Sequence, residues 1–109
     1  MPGPEPLVNT GPVIGEESIF YYSLGLNYEA FGFFPQGLTS YGMGLGYPMK
    51  PGLVVDLSLG AARCLIRLDR KADAIDLLDK AAAMATRPPD KALLRAYRER
   101  LGPPAANAP

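Results

Sequence analysis

Tyr21-Tyr22-Ser23-Leu24-Gly25-Leu26-Asn27-Tyr28-Glu29-Ala30-Phe31-Gly32-Phe33-Phe34-Pro35-Gln36-Gly37-Leu38-Thr39-Ser40-Tyr41 reads as a helix, a tight turn and a second helix. Ile19-Phe20, Leu24, Tyr28 and Phe31 recur at helical spacing, which predicts an apolar stripe on a helix running from Gly15 or Glu16 to about Phe31. Glu16 and Glu17 fall in its first turn, where carboxylates face the unpaired N–H groups and the positive end of the dipole. Gly32 supplies the left-handed residue that commonly ends a helix. Phe33 and Phe34 then form the turn, and Pro35 opens the next helix at a position that tolerates proline.

The second helix is expected over Pro35 to about Gly46, although it contains Gly37, Gly42, Gly44 and Gly46. Each interior glycine costs about 0.5–1 kcal/mol relative to alanine, so packing on the first helix through Leu38, Tyr41 and Leu45 has to hold it. Gly42 and Gly46 form a G-x-x-x-G, either a notch for close packing within the hairpin or a contact face for another subunit. After a loop at Tyr47–Gly52, apolar periodicity predicts a third helix from about Leu53 to Leu68. Asp69 is the expected N-cap of a fourth, Lys71 to Met84, with Ala74, Ile75, Leu77, Leu78, Ala81 and Ala82 inward. A fifth, with proline in its first turn, runs from about residue 88 to Leu101. Its apolar residues are Leu93, Leu94, Ala96, Tyr97 and Leu101. Residues 1–14 read as an extended arm, docked or disordered, and 102–109 as a disordered tail.

The first hairpin resembles a tetratricopeptide repeat, whose pattern is W-x2-L-G-x2-Y, then A-x3-F, then P. Tyr21 stands at the tryptophan place, Leu24-Gly25 at Leu-Gly, Tyr28 at the tyrosine, Gly37 at the alanine and Tyr41 at the phenylalanine. Pro48 falls one residue short of the proline. A more degenerate copy follows, with Ala61-Ala62, Leu65, Ala74 and Leu78 at the matching places. Leu24 and Ala61 lie 37 residues apart, against a period of about 34 in that family; the long loop absorbs the excess. The resemblance implies an all-α superhelix over 15–101. Its parts are repeat one at about 18–51, repeat two at about 55–88 and a capping helix at about 88–101.

In such proteins ligands lie on the concave surface lined by the first helix of each repeat. Carried over by position, that surface comprises Tyr22, Leu26, Glu29 and Ala30 from repeat one and Leu59, Arg63, Ile66 and Arg67 from repeat two. Arg63 and Arg67 lie one helical turn apart. They either hold an acidic, aromatic peptide or are solvated and paired with Glu29 and Asp56. The lysine and asparagine clamp of chaperone-binding family members is missing, so capture of a C-terminal carboxylate is not implied.

Composition narrows the function classes. The 109 residues balance 11 Lys+Arg against 11 Asp+Glu, which makes no net-charge case for nucleic acid. Charge is nevertheless uneven, −3 over residues 1–50 and +3 over the remainder. No histidine is present, removing the commonest general base and metal ligand. One cysteine, Cys64, cannot build a thiolate zinc site, and its repeat position implies structural burial. Ser18, Ser23, Ser40 and Ser58 have no histidine to activate them. Asp69, Asp73, Asp76 and Asp79 read as a solvated helix face, with Lys80 four residues after Asp76.

The expectation is therefore a non-enzymatic interaction module, with no metal or cofactor, acting as an adaptor or assembly subunit. The alternatives are a purely structural subunit and, more weakly, nucleic-acid contact through the arginines of the C-terminal half. Ala30–Met49 is uncharged, but its prolines, glycines and polar residues argue against a membrane span. The lone cysteine and the absence of a signal-peptide pattern point to a cytoplasmic setting. Two repeats plus a cap form a small core, and nine of ten aromatic residues lie between Phe20 and Tyr47. That surplus favours a homo-oligomer or residence in a larger assembly, with Phe33, Phe34, Tyr41, Gly42 and Gly46 as the self-interface.

Overall fold

The computed structural model describes residues 15–102; the N-terminal arm and all of the C-terminal tail after Gly102 lie outside them. Five helices and no strand occur among the described residues: α1 (Glu16–Ala30), α2 (Phe34–Leu45), α3 (Pro51–Arg67), α4 (Lys71–Met84) and α5 (Pro88–Leu101). Each helix packs on its chain neighbour, and α1 touches α3 as α3 touches α5. No helix among the described residues is long and apolar enough to cross a membrane.

Two turns of the same design close the α1–α2 and α3–α4 pairs. Gly32 has φ +83°; its N–H bonds Glu29 O at 3.0 Å, and Phe33 N–H bonds Tyr28 O at 2.9 Å. This double bond around a left-handed residue is the Schellman motif, completed here by the edge of Phe33 against Tyr28 at 6.5 Å between ring centroids. In the second turn Asp69 takes the left-handed place with φ 62°. Asp69 N–H bonds Ile66 O at 3.0 Å and Arg70 N–H bonds Leu65 O at 2.8 Å. Asp69 is therefore not the N-cap of α4; Arg70 is, with no side-chain cap. Asp tolerates the left-handed region better than most residues, which lets it close α3. The third helix also begins two residues earlier than its periodicity implies, at Pro51, because proline suits a first turn. The joining segment shortens to residues 46–50.

The inner face of α1 is not the apolar stripe. Ser18 and Gly25 are its buried residues, while Ile19, Phe20 and Phe31 are 54%, 60% and 77% exposed. Small residues line this face because α2 comes very close. A Cβ on Gly25 would lie 2.7 Å from Tyr41 Cδ1, so the bare glycine admits the Tyr41 ring. Gly60 of α3 does the same from the other side, its added Cβ falling 2.5 Å from Tyr41 Cζ. The Ser18 hydroxyl donates to Gly44 O at 2.8 Å, fastening the start of α1 to the end of α2. Tyr41, Leu57, Ala61 and Cys64 form this first core cluster. The second lies among α3, α4 and α5, centred on Leu65, Leu78 and Leu94 with alanines between them. On α5 only Leu94 of the expected apolar set is fully buried, with Tyr97 and Leu101 packed beside it. Leu93 and Ala96 face outward.

The Gly42/Gly46 pair is not the packing notch. A Cβ on Gly42 would meet nothing within 4 Å, whereas one on Gly44 would lie 2.8 Å from Leu57 Cδ2. Gly60→Ala should lower unfolding free energy by about 1–3 kcal/mol through overpacking. Gly42→Ala should raise it by about 0.5–1 kcal/mol by helix propensity alone. Urea titration of both variants checks the pair, and equal effects would show that the tyrosine slot is not tight.

Candidate functional site

Where α1 runs beside α3, the close approach of three helices brings three polar groups together. Tyr41, held in its glycine slot, donates its hydroxyl to Glu29 Oε1 at 2.7 Å. Arg63 of α3 donates from Nε to Glu29 Oε2 at 2.7 Å and from Nη2 to Oε1 at 2.9 Å, a two-pronged pair. The hydrogen-bonded Arg63 guanidinium holds the Glu29 carboxyl below its ordinary value, overcoming the opposing effect of burial, with Tyr41 and the charge of Arg67 adding to it. Burial first, and then the negative Glu29, push the Tyr41 phenol upward. Glu29 likewise keeps Arg63 protonated.

Beside this pair opens a cleft of about 610 Å³, lined by Leu26, Glu29, Ala30, Phe31, Gly32, Phe34 and Arg67. The Arg67 guanidinium carbon sits 4.5 Å from the centroid of the Phe34 ring, a cation–π contact. Arg67 makes no ion pair among the described residues, whereas Arg63, Arg70, Arg87 and Arg98 each do. The cleft therefore presents one cation on an aromatic platform, with apolar side chains and the Arg63-paired Glu29 carboxylate around it.

Of the residues expected on a binding surface, the structure gathers Leu26, Glu29 and Arg67 around this cleft, with Ala30 beside them. Arg63 stands behind Glu29, and its charge is already satisfied. Asp56 makes no pair with either arginine. Tyr22 packs against Tyr41, ring centroids 6.1 Å apart, as part of the first core cluster. Leu59 and Ile66 lean on the second cluster and do not line the cleft.

The proposed self-interface changes more. Tyr41 is fully buried and belongs to the core, so it is not a surface residue. Phe34 is half-buried and lines the cleft instead. Phe33, Gly42 and Gly46 are exposed. Three cleft residues escaped sequence reasoning, Phe31 because its spacing fits the core stripe, Gly32 because it reads as a helix stop, and Phe34 because it reads as turn. The usable signal was Gly32: with Phe33 taken up against Tyr28, Phe34 becomes the first residue of α2 and turns towards α3.

The remaining candidates for chemistry are structural. Cys64 is buried against Gly37, and burial pushes its thiol up to about 11. Asp73, Asp76 and Asp79 pair with Arg70, Lys80 and Arg98 on an exposed surface. No protein-family model, curated protein or solved structure matches the chain.

The Glu29 pair makes stability depend on pH in one direction. A carboxyl held below its ordinary 4.5 in the fold stabilises the native state above that value, and the contribution is lost as pH falls through the lower folded value. Glu29→Gln should lower stability at neutral pH by about 1–3 kcal/mol, the cost of leaving a partly buried cation without its partner. The gap between wild type and Glu29→Gln should close below pH 4.5. Urea unfolding across pH tests this, and a gap that stays constant into acid would mean that the carboxylate charge contributes nothing.

Proposed function

We propose that this chain is a protein–protein interaction module of the tetratricopeptide-repeat kind. In this reading the α1–α3 cleft takes an extended segment of a partner that carries a carboxylate next to an apolar or aromatic side chain. The observation that carries the reading is Arg67, held over the Phe34 ring and making no ion pair among the described residues, at the wall of a cleft that mixes polar and apolar surface. A guanidinium whose other face is covered by a ring is pre-positioned for a planar carboxylate, and Leu26 and Ala30 supply apolar contact beside it. The repeat architecture draws support from two helix pairs closed by the same Schellman turn, with Gly32 and Asp69 separated by 37 residues. A further support is the contact of α1 with α3 and of α3 with α5.

A second reading, that of a structural subunit in an assembly, is favoured by the large apolar side chains left exposed on the first hairpin: Ile19, Phe20, Phe31, Phe33 and Met43. Nucleic-acid contact is the weakest reading, because Arg63, Arg70 and Arg98 are each neutralised by a carboxylate.

A displayed library of random peptides selected on the full chain tests the first reading. Enriched peptides should share an acidic residue beside an apolar one. Their affinity should fall about tenfold or more for Arg67→Glu, as expected when a charge-assisted contact becomes a repulsion. Enriched peptides that bind Arg67→Glu as well as wild type, or no enrichment at all, would remove the cleft as the site.

A further inference from the structure

A second groove lies on the opposite flank of the first hairpin, between α1 and α2. It holds about 440 Å³ and is lined by uncharged residues, among them Tyr21, Leu24, Tyr28, Pro35 and Met43. Phe20, 60% exposed, stands beside this groove on α1. At 100° per residue, Glu17, Phe20, Leu24 and Tyr28 form one stripe of that helix, apolar along its length and acidic at its N-terminal end. At the far end of the chain α5 carries a matching stripe. Leu94 turns inward, which leaves Pro89, Leu93, Ala96 and Arg100 together on the outer side; all four are exposed, Leu93 by 51%. This stripe is apolar along its length and basic at its C-terminal end. Neither Glu17 nor Arg100 makes an ion pair among the described residues.

We propose that the α1–α2 groove of one molecule receives the outer stripe of α5 from a second copy, head to tail. Opposite charge at opposite ends sets the direction. Pairing Glu17 with Arg100 of the second copy runs the two helices antiparallel, which also aligns their dipoles favourably. Lengths agree: the α5 stripe and the α1 stripe each cover about 16 Å, at ~1.5 Å per residue. The surplus of three carboxylates on residues 1–50 and of three cations on the remainder acts in the same sense, drawing unlike ends together. The contact joins two different surfaces, so it repeats from molecule to molecule and builds chains, or a ring where the rotation closes. It is independent of the α1–α3 cleft, which uses the other flank of α1.

Light scattering of the full chain after size exclusion, from about 1 to about 500 µM, should show a mass that rises with concentration past that of a dimer, levelling off only at the multiple that closes a ring. Phe20→Asp blocks the groove and Leu93→Asp blocks the stripe. Both sites are exposed, so both variants should keep the wild-type circular dichroism and melting curve while remaining monomeric. Mixed in equal amounts, they retain one good groove and one good stripe between them, and should form a dimer and nothing larger. Glu17→Arg and Arg100→Glu should each weaken association about three- to tenfold, and the double variant should recover most of that loss. A wild-type monomer at every concentration overturns the proposal. So does a mass that stops at two, or a mixture of Phe20→Asp and Leu93→Asp that stays monomeric. Phe20→Asp failing to associate while Leu93→Asp associates as wild type would show that the groove takes something other than α5.

Discussion

The Tyr41 ring, gripped between the bare backbones at Gly25 and Gly60, is the contact on which the first half of the structure depends. Its closeness leaves no room for a Cβ on either side, so three helices meet around one aromatic side chain. The ring then carries its hydroxyl to Glu29, which in turn holds Arg63. A partly buried ion pair of this kind adds little stability beyond a well-packed apolar alternative, and its value is geometric. It locks α1 against α3 in one register, because displacing either helix by a turn would leave a carboxylate or a guanidinium without its partner. The adjoining cleft inherits that register, with Glu29 serving as both wall of the cleft and base of the pair.

The same packing explains why α1 appears inverted. A helix that must come within backbone distance of its neighbour can turn only small residues inward, here Ser18 and Gly25. Its bulky side chains, Ile19, Phe20 and Phe31, are thereby sent outward. The apolar surface of the first hairpin is thus a direct consequence of the tyrosine slot. It differs from the scattered exposed leucine found on any protein, since its large side chains gather on one helix and its end.

Much of the architecture was legible in the residues. The number and order of helices followed from apolar period and from glycine and proline punctuation, and α4 matches its expected limits at both ends. What failed did so for identifiable reasons. Period alone assigned Ile19 and Phe20 to the core because it weighs bulk and cannot see that close contact demands its absence. Gly42 and Gly44 are indistinguishable by composition, yet only Gly44 meets another helix. Asp69 fits both ends of a helix junction, and the two backbone hydrogen bonds that decide for the end of α3 have no signature in one sequence. At the site, Arg67 was visible as a helical neighbour of Arg63, but which arginine would be consumed by Glu29 depends on the facing angle of α1 and α3. Phe34 was invisible as a cleft residue because it reads as turn, whereas it is the first residue of α2.

The two arginines show how small that difference is. Arg63 and Arg67 lie on the same face of α3, one turn apart, and identical chemistry gives them opposite uses. Arg63 reaches inward to a carboxylate on α1 that Tyr41 has already fixed, so its charge is absorbed by the fold. Arg67, one turn further, passes the end of α1, where the chain has turned at Gly32 and offers Phe34 in place of a carboxylate. An aromatic face attracts a guanidinium without neutralising it. The charge therefore remains available to a ligand, while the side chain is held in place for one. The turn at Gly32 is what separates structure from recognition here: by stopping α1 at Ala30 it sets where the carboxylates of that helix end and where the free cation begins.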